Sequence, residues 1–333
     1  MRIVASGICH TDLTAKRNFP TGVPIVLGHE GAGVVEQVGP GVVGVAVGDH
    51  VLATYASCGD CALCRSGSPG YCEQWAILNA GRFGDQSPLS RAGAPVVGAF
   101  FGQSSFASHI VTGAANVVVV DPGIDLAMTA AFGCGVQTGA GAVANVLRCE
   151  ADSALAVFGV GGVGMSALMA ARVLGVGTIV AVDLSADRLA VAADLGAHTV
   201  IDGSAADVAE QVRAATGGGA THALDTTGLA GVLATAIDAL APRGVLALVA
   251  LGEPTLPVEV AELIGQGKSL RGCIEGDGDP REFLPRLADW YRRGLLPMEK
   301  IVRTYPFESI DAAVADAQAG TVVKPVLTFA ERG

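Results

Sequence analysis

The sequence is poor in charged side chains, and above all in basic ones. Only 16% of its 333 residues are charged, and 21 Lys and Arg stand against 32 Asp and Glu, which gives a formal net charge of -11. Because nucleic-acid phosphates are bound by clustered Lys and Arg, this balance argues against a nucleic-acid-binding protein. Half of the residues are hydrophobic and 46 are glycine. That composition is typical of a tightly turned α/β protein with a buried parallel sheet.

The chain also lacks internal repeats, low-complexity tracts, long linkers and a clear membrane segment. Residues 154–171 contain one polar side chain, Ser166, over a length that could cross a bilayer, but they include four glycines and Arg172 follows at once. A buried strand, a glycine turn and a buried helix explain this stretch better than a membrane span. Because 333 residues exceed what one hydrophobic core usually fills, we expect two domains.

The predicted elements divide the chain into two regions of an α/β protein. Up to Cys134, short strand-like runs such as 33–38 and 117–120 are separated by Gly and Pro, which predicts a β-rich, barrel-like domain. After Gly135, strands and helices alternate, which predicts a doubly wound parallel sheet. The strands are predicted at 154–158, 178–182, 199–201, 223–224 and 245–250, and the helices at 163–174, 186–195, 205–215 and 232–240. The tail is predicted to add a helix near 286–293 and a strand near 326–329.

The cysteines indicate metal binding. Eight unevenly spaced cysteines without a signal peptide predict a cytoplasmic protein whose thiols bind metal rather than form disulfides. Four of them form a C-x2-C-x2-C-x7-C cluster, namely Cys58, Cys61, Cys64 and Cys72. Four thiolates fill a tetrahedral zinc and leave no open position, which predicts a structural zinc site. An iron–sulfur cluster is disfavoured by the last spacing and by the absence of a proline after Cys72. A zinc-ribbon module for nucleic acid would need a second knuckle and basic surroundings.

A second set of possible metal ligands is Cys9, His29 and Cys134, which lie far apart in the sequence in glycine-flanked contexts. Taken one by one, packing explains them better, because free cysteine is among the most buried residue types. Taken together, three protein ligands leave a fourth position for water or substrate, which is the arrangement of a catalytic zinc. Spacing alone leaves both interpretations open.

A glycine-rich loop lies between a predicted strand and a predicted helix. It reads G-x-G-x-x-G and consists of Gly159, Val160, Gly161, Gly162, Val163 and Gly164. Such a loop lets the backbone and a helix N-terminus approach a pyrophosphate. Asp183 ends the next strand, where a carboxylate can accept hydrogen bonds from ribose hydroxyls, although it could simply cap the following helix. An unpaired carboxylate about 4 Å from a 2′-phosphate would cost about 4 kcal/mol, or about a thousandfold in affinity, so NAD is predicted over NADP.

Together these motifs resemble the zinc-containing medium-chain alcohol dehydrogenases. The matching motifs follow the family's order over essentially the whole chain, and they are residues 7–12, 28–33, 58–72, 133–135 and 159–164. The resemblance implies a GroES-like β-barrel catalytic domain over 1–135 and 275–333, and a Rossmann-type NAD-binding domain over 136–274. It also implies NAD as the cofactor and two zinc ions per chain, one catalytic and one structural.

The resemblance implies a role for each matching residue of the catalytic site. The implied ligands of the catalytic zinc are Cys9, His29 and Cys134. Asp12 would orient His29, because a metal-bound imidazole needs a partner that fixes its tautomer. Glu30 would be a carboxylate able to approach the metal. Thr11 would lie beside the substrate oxygen and receive the alcohol proton.

The resemblance also places residues along the cofactor. Thr138 would lie near the nicotinamide, and residues 160–163 would line the pyrophosphate. Arg188 would lie near the adenosine ribose. His10 and Lys324 match positions that meet phosphate in relatives.

Three further segments, 100–106, 133–143 and 275–283, resemble the aryl (benzyl) alcohol dehydrogenase branch. This implies reversible hydride transfer from a primary aromatic or allylic alcohol to NAD, which gives the aldehyde. Two alternatives stay open: a dehydrogenase of a thiol–formaldehyde adduct, and a truncated, non-catalytic protein that binds nucleotide and zinc. The segments 245–250 and 270–274 resemble elements that pair between subunits, which implies a homo-oligomer, either a dimer or a tetramer.

Two departures from the family pattern stand out. Relatives begin before the segment that corresponds to Met1–Val4, so the opening strands are expected to be missing and a sheet edge near Cys9 is expected to be open. Some relatives have a histidine at the end of the proton path, where this chain has Thr14. The proton is therefore expected to leave through water or through His10.

Overall fold

The computed structural model describes residues 1–252, 255–256 and 258–330. Its strands are β1 (Arg2–Gly7), β2 (Glu30–Val34), β3 (His50–Ala53), β4 (Ala80–Arg82), β5 (Leu89–Arg91), β6 (Ala94–Val96), β7 (Gly98–Phe100), β8 (Val117–Val120), β9 (Ala154–Phe158), β10 (Thr178–Asp183), β11 (Thr199–Asp202), β12 (Ala220–Asp225), β13 (Leu240–Leu248), β14 (Ser269–Gly272), β15 (Val302–Pro306) and β16 (Lys324–Thr328). Its α-helices are α1 (His10–Asn18), α2 (Ala62–Arg65), α3 (Trp75–Asn79), α4 (Leu126–Thr129), α5 (Gly135–Gly141), α6 (Gly162–Val173), α7 (Ala186–Asp194), α8 (Val208–Ala215), α9 (Ala230–Asp238), α10 (Val260–Gln266), α11 (Pro280–Arg292) and α12 (Ile310–Ala319).

The first of two compact units comprises Met1–Gly135, Gly278–Arg293 and Ile301–Gly333. Its main sheet has the strand order β15-β16-β1-β2-β3-β8. β1 is an interior strand, because β16 and β2 both pair with it in antiparallel fashion. The expectation of an open sheet edge near Cys9 was therefore wrong for the part of the chain that is described. The edges of this sheet are β15 and β8.

The boundaries of β2 differ from the prediction. The strand covers Glu30–Val34 rather than 33–38. The reason lies in its glycines: a Cβ on Gly33 would come within 2.0 Å of the Arg2 carbonyl oxygen, so the close approach to β1 requires glycine there. Beyond Val34 the chain turns, and Val35 exchanges backbone hydrogen bonds with Gly48 and Asp49 across that turn.

The C-terminal helix α11 also begins earlier than predicted. It starts at Pro280 rather than near residue 286, because Asp279 accepts a hydrogen bond from the Arg281 N–H as its N-cap and Pro280 occupies the first turn. Pro285 lies inside this helix without ending it. The final strand β16 agrees with its predicted position within two residues.

The second unit comprises Val136–Asp277 and Gly294–Lys300. Its sheet is parallel throughout, in the order β11-β10-β9-β12-β13-β14. Numbered from β9, this is the order 3-2-1-4-5-6 of a doubly wound dinucleotide-binding fold, and the order reverses beside β9. The predicted α/β fold class is confirmed.

Elements of the second unit fall close to their predicted positions. β9 covers the predicted residues 154–158, and α6 begins one residue early, at Gly162. The apolar stretch 154–171 is thus a strand, a turn and a buried helix. The helix predicted to reach Leu240 ends instead at Asp238, and Leu240 begins β13. Among the described residues no single helix is long and apolar enough to span a membrane. One bent pair of shorter helices has the required length and apolar composition only when the two are counted together.

The units differ from the predicted domains at two places. Glu275–Asp277 lies in the second unit, where the Asn145 side chain donates to the Gly276 carbonyl at 2.9 Å. Gly294–Lys300 also belongs to the second unit, and Lys300 forms an ion pair with Asp194 at 2.6 Å. The assignment of a catalytic domain to residues 1–135 and 275–333 and of an NAD-binding domain to residues 136–274 stays a prediction.

Candidate metal and cofactor sites

The four-cysteine loop folds around a common point. The sulfur atoms of Cys58, Cys61, Cys64 and Cys72 all lie within 4.8 Å of one another. Backbone N–H groups point at these sulfurs: those of Asp60 and Cys61 at Cys58, and that of Gln74 at Cys72, at 3.3 to 3.4 Å. Hydrogen bonds from the backbone of Glu73 and Cys64 lower the pKa of Cys61 to about 6. All eight cysteines of the chain are free. Burial raises the pKa of Cys64 to about 12, so the surroundings favour the thiolate form at Cys58 and Cys61 but not at every sulfur. Four converging sulfurs fit a closed tetrahedral zinc site.

The second candidate set also converges, although its members come from three distant segments. Donor atoms of Cys9, His29, Glu30 and Cys134 all lie within 4.8 Å of one another. The register of β1 against β2 pairs Gly7 with Glu30, which brings the residues that follow β1 and precede β2 to the same end of the sheet.

Cys134 reaches this set through a close turn. The residue before it, Gly133, lies so near β3 that a Cβ there would come within 1.9 Å of the Ala53 carbonyl oxygen. The Thr54 hydroxyl donates to the Gly133 carbonyl at 3.0 Å. This close packing of the backbone fixes the position of Cys134 relative to β3, and only glycine at residue 133 permits so close a contact.

Asp12 ties two members of the set together. Its carboxylate faces His29 Nδ1 at 2.9 Å and accepts from the backbone N–H of Gly28 at 3.0 Å and of Cys9 at 3.1 Å. Both side chains are buried. The other imidazole nitrogen, His29 Nε2, is buried and has no hydrogen-bond partner among the described residues. An orphaned buried nitrogen beside two thiols fits a metal ligand, and the donor set Cys-His-Cys suits zinc.

The charges around the Cys9 thiol favour metal binding as well. A hydrogen bond with Cys134 lowers the pKa of the Cys9 thiol well below its usual range, against the effect of burial, and Lys324 and His29 add to the lowering. Burial acts to lower the pKa of His29, but the Asp12 carboxylate and the Cys9 thiol together raise it. Because only a neutral imidazole binds a metal, zinc would have to displace this proton. Zinc binds the thiolate form of cysteine.

Lys324 lies beside Glu30 rather than towards solvent. Its ammonium nitrogen is 2.9 Å from each oxygen of the Glu30 carboxylate and 3.3 Å from the Ile8 carbonyl oxygen. An ammonium group has three N–H donors, and these acceptors use all three. The implied contact between Lys324 and a cofactor phosphate stays a prediction. Sequence reasoning missed the pair because the two residues are 294 positions apart.

The residues implied in proton transfer lie on α1. Thr11 Oγ1 is 3.8 Å from Cys9 Sγ, which places its hydroxyl next to the candidate metal centre. His10 is exposed at the start of the helix. Thr14 accepts a hydrogen bond from Arg17. The roles of Thr11 and His10 in proton transfer stay predictions.

A buried glutamine that sequence reasoning did not single out connects the ligand-bearing segments. Gln103 donates from Nε2 to the carbonyl oxygens of His29 at 2.9 Å and Thr54 at 3.2 Å, and its Oε1 accepts from the Gly31 N–H at 3.1 Å. Positive φ angles at neighbouring residues, including Phe101 (51°) and Ser104 (56°), turn this segment inward. Its one sequence signal was its place in the 100–106 motif.

Aromatic side chains of the same unit lie next to the candidate metal centre. The Phe101 ring centroid is 4.6 Å from that of His29, and the Phe100 centroid is 5.7 Å from it. Trp75 contacts Phe101 edge to face at 6.0 Å, and Tyr55 contacts Trp75 at 4.9 Å. The centre is thus bordered by a flat apolar surface.

The glycine-rich loop of the second unit connects β9 to α6, at the point where the strand order reverses. Gly159 has φ +84°, and a Cβ on it would meet Thr226 at 2.5 Å. A Cβ on Gly164 would meet the Gly159 carbonyl oxygen at 2.1 Å. Gly161 is different, because no atom of the described residues lies within 4 Å of its Cβ position. Two glycines are therefore required by packing, and the third leaves open space at the N-terminus of a twelve-residue helix, as a pyrophosphate site needs.

Asp183 lies at the end of β10, half-buried beside this loop. Its carboxylate accepts hydrogen bonds from the Val160 N–H at 2.8 Å and the Ser185 N–H at 2.9 Å. The N-cap of α7 is Ser185, which accepts from the Arg188 N–H. Asp183 is thus not the helix cap, and each of its oxygens keeps capacity to accept from a ligand. Arg188 Nε is buried without a hydrogen-bond partner among the described residues.

Thr138 is held by a residue that sequence reasoning did not assign. The Glu275 carboxylate accepts from Gln137 Nε2 at 2.9 Å and from the Thr138 hydroxyl at 3.5 Å. Glu275 and Asp277 have φ angles of 52° and 58°, a conformation that is uncommon outside glycine. The one sequence feature that pointed to Glu275 was its place in the 275–283 motif.

Comparison with known proteins agrees with this geometry. The family described as alcohol dehydrogenase GroES-like domain matches residues 1–174, and the family described as zinc-binding dehydrogenase matches residues 162–291. The chain belongs to the zinc-binding medium-chain alcohol dehydrogenases, and it is a zinc-dependent enzyme of small-molecule alcohols.

Three relatives show the extent of the similarity. Geraniol dehydrogenase of Castellaniella defragrans is 43% identical over 335 residues, which cover 99% of this chain and 90% of that protein. A crystal structure of an alcohol dehydrogenase zinc-binding domain protein from Burkholderia ambifaria has a TM-score of 0.96 at 44% identity, over 99% of this chain and 91% of that one. Benzyl alcohol dehydrogenase from Acinetobacter calcoaceticus has a TM-score of 0.91 at 37% identity, with the same coverage.

Proposed function

We propose that this protein oxidises primary aromatic or allylic alcohols to aldehydes, reversibly, with NAD as the hydride acceptor. Zinc bound by Cys9, His29 and Cys134 would supply Lewis acidity that lowers the pKa of an alcohol and stabilises its developing negative charge. The observation that carries the proposal is the convergence of these three donors within 4.8 Å, one of them a buried imidazole nitrogen with no hydrogen-bond partner in the described part of the chain. The four-cysteine loop would hold the structural zinc.

The chain's own residues orient the reactants and move the proton. Asp12 holds the His29 ring with Nε2 towards the centre. Thr11 Oγ1, close to the Cys9 sulfur, is positioned to accept the proton of the alcohol and pass it on. Because the centre is buried, the low local dielectric strengthens these interactions.

The cofactor preference follows from the loop of the second unit. Open space at Gly161 and the free N–H groups of α6 would receive the pyrophosphate. The Asp183 carboxylate would accept hydrogen bonds from the ribose hydroxyls and repel a 2′-phosphate. NAD supplies the hydride acceptor, and Thr138, held by Glu275, is proposed to contact its nicotinamide.

The substrate class rests on the aromatic surface and on the relatives. Phe101 and Trp75 offer flat, apolar contact area beside the candidate metal centre, which suits a benzyl or allyl group. Two of the most similar proteins are named for geraniol and for benzyl alcohol. In both alcohols the carbon that carries the hydroxyl is bonded to an unsaturated carbon.

Metal analysis of the purified protein, combined with NADH formation at 340 nm, tests the proposal. We expect two zinc ions per chain and turnover of benzyl alcohol and geraniol. Cys9→Ser should lose turnover and one zinc but keep NAD binding, whereas Cys149→Ser, a change at a buried cysteine outside both clusters, should keep all three. Faster turnover of a thiol–formaldehyde adduct would favour that alternative, and no NADH with any alcohol would favour a non-catalytic binding protein.

We also propose a homo-oligomer, either a dimer or a tetramer. β14 ends the parallel sheet, and among the described residues it pairs with β13 alone. Nearby in sequence, α10 exposes the apolar side chains of Val260 and Ile264. An open strand edge with exposed apolar neighbours is a common site of subunit contact. Light scattering after size-exclusion chromatography would give the mass, and a monomer at micromolar concentration would contradict the proposal.

A cytoplasmic location is proposed from the thiols. All eight cysteines are free, and cysteines that remain reduced are typical of a reducing compartment. Fractionation of cells that produce the protein would check this location, and recovery from an oxidising compartment would contradict it.

A further inference from the structure

Glu275 is a buried carboxylate at the carboxyl edge of the parallel sheet. It follows the end of β14 by three residues, and β14, β13, β12 and β9 all run in the same direction. Along the strand order, β10 with Asp183 at its end lies on one side of β9, and β14 lies on the other. In a doubly wound sheet the dinucleotide crosses this edge where the strand order reverses. With the adenosine ribose at Asp183, we expect the nicotinamide on the side of β12, β13 and β14, where Glu275 lies.

The backbone around Glu275 is held in place by close packing against α5. A Cβ on Gly276 would come within 2.2 Å of the Gln137 carbonyl oxygen, and a Cβ on Gly141 would come within 2.4 Å of the Gly276 carbonyl oxygen. The side chain of Asn145 donates to that same carbonyl at 2.9 Å. Glu275 itself has a φ of 52°. Because the neighbouring backbone cannot shift without a clash, the direction of the Glu275 side chain is fixed by the fold.

The Glu275 carboxylate faces the residue that is proposed to contact the nicotinamide. It accepts hydrogen bonds from Gln137 Nε2 at 2.9 Å and from the Thr138 hydroxyl at 3.5 Å. An ionised carboxylate can only accept hydrogen bonds, and both of these partners donate them, so the contacts suit the charged form. The other carboxylate of this segment, that of Asp277, pairs with Arg271 at 3.0 Å. Glu275 therefore brings a negative charge next to the proposed nicotinamide contact.

The nicotinamide ring changes its charge in the proposed reaction. The ring of NAD⁺ is positive, and it becomes neutral when it accepts a hydride, which is a proton with two electrons, from the carbinol carbon. A fixed negative charge nearby stabilises the positive ring and leaves the neutral ring without that attraction. At an effective dielectric near 20, two unit charges about 10 Å apart attract each other strongly enough to change an affinity about fifteenfold.

We propose that Glu275 sets the balance between the oxidised and the reduced cofactor, because its carboxylate strengthens the binding of NAD⁺ relative to that of NADH. The inference rests on the proposed function, in particular on NAD binding at the glycine-rich loop. Weaker binding of NADH lets this product leave more readily after the alcohol has been oxidised, and product release limits turnover in many enzymes. By linkage, the same charge opposes hydride transfer to the bound cofactor by an equal factor.

Equilibrium binding to the zinc-loaded protein, without alcohol, tests the inference independently of turnover. NADH is titrated by its own fluorescence, and NAD⁺ and ADP-ribose are measured by competition with NADH. ADP-ribose lacks the nicotinamide, so it reports on the rest of the site alone. Glu275→Gln keeps the shape of the side chain and removes its charge. It should raise the ratio of the NAD⁺ dissociation constant to the NADH dissociation constant at least about tenfold, and change ADP-ribose binding less than about twofold.

Two further variants separate the charge of Glu275 from its contacts. Glu275→Asp keeps the charge but withdraws the carboxylate from Gln137 and Thr138, so the ratio should stay within about threefold of that of the unmodified protein. Asp277→Asn is the matched control, because it removes one negative charge from the same segment. Its partner Arg271 is half-exposed, so solvent screens this pair. The control should also change the ratio less than about threefold.

Another pair of variants keeps the test valid if Glu275→Gln does not fold. Glu275→Asn and Glu275→Asp differ by one charge at nearly the same shape, and both residues adopt a positive φ more readily than most. The ratio should be at least about tenfold higher in Glu275→Asn than in Glu275→Asp.

Three results would overturn the inference. They are an unchanged ratio in Glu275→Gln, an equal loss of affinity for NAD⁺, NADH and ADP-ribose, and a shift in Glu275→Asp or Asp277→Asn as large as that in Glu275→Gln. The second result would show a structural role alone. If the unmodified protein binds none of the three ligands, the proposed function fails. If it binds them and the ratio does not depend on Glu275, only the inference fails.

Discussion

Replacing Asp12 with asparagine should loosen the catalytic metal without unfolding the protein. Oδ1 of Asp12 accepts from the Gly28 N–H and faces His29 Nδ1, whereas Oδ2 accepts from the Cys9 N–H alone. An asparagine whose amide oxygen takes the place of Oδ1 keeps the first two contacts. Its NH2 group then meets the backbone N–H of Cys9, so two donors face each other in a buried position.

The expected loss follows from that single mismatch. An unsatisfied buried donor costs about 1–3 kcal/mol, and about 2 kcal/mol corresponds to about a thirtyfold rise in the metal dissociation constant. This agrees with the loss of metal affinity, roughly 10- to 100-fold, that follows when the hydrogen-bond partner of a metal-bound histidine is removed. Asp12→Ala should cost more, because it leaves all three donors without an acceptor.

Equilibrium competition with a chromogenic chelator would measure the dissociation constant of the catalytic zinc directly. Asp279→Asn is the matched control, because Asp279 caps α11 in the same unit through the Arg281 N–H, and asparagine caps helices about as well as aspartate. The reasoning is refuted if Asp12→Asn binds zinc as tightly as the unmodified protein. It is also refuted if the control loses as much affinity.

Three further predictions address packing, thiol chemistry and cofactor choice. Gly133→Ala should lower the melting temperature, because its Cβ would lie 1.9 Å from a backbone oxygen. Gly231→Ala is the control: it lies in helix α9 with no described atom within 4 Å of its Cβ position, and it should raise the free energy of unfolding by up to about 1 kcal/mol. Equal effects of the two changes in thermal unfolding would contradict this reasoning. In metal-free protein at pH 7.5, Cys61, with a pKa of about 6, should be alkylated at least about tenfold faster than Cys149, whose pKa burial raises to about 12. The thiolate fraction of Cys61 is about four orders of magnitude larger, and the lower nucleophilicity of its thiolate offsets part of that difference. Mass spectrometry of the labelled peptides checks the order. Asp183→Ala should narrow the preference for NAD over NADP by about two to three orders of magnitude, and an unchanged ratio of kcat/KM for the two cofactors would argue against it.

Local features were predicted well from the sequence because short-range physics determines them. The four-cysteine loop has its ligands within fifteen positions, from Cys58 to Cys72, so their spacing alone indicated a common metal. β9 and α6 were placed to within a residue, since an apolar run followed by a glycine turn allows few alternatives.

The catalytic centre needed more than spacing. Cys9 and His29 meet only through the register of β1 against β2, and Cys134 reaches them only through the close turn at Gly133. Family resemblance suggested this set, whereas patterns in the sequence could not.

Contacts that depend on the folded chain could not be predicted. The charge pair of Glu30 with Lys324 spans 294 positions, and no sequence period reports such a distance. Gln103 resembles any polar residue in a turn until the fold buries it. Glu275 has a positive φ that non-glycine residues rarely adopt, so its conformation is set by the surrounding structure rather than by its own preference.

The pairing of β1 with β16 has a consequence for biosynthesis. Ala5 is the register partner of Thr328, so the strand that leads to Cys9 gains this neighbour only after about 320 further residues have been translated. The parallel sheet, by contrast, is complete once Gly272 has been translated. Since domains fold as units during translation, we expect the second unit to fold before the main sheet of the first unit is complete. Zinc loading at the candidate catalytic centre is then expected to follow the folding of the second unit.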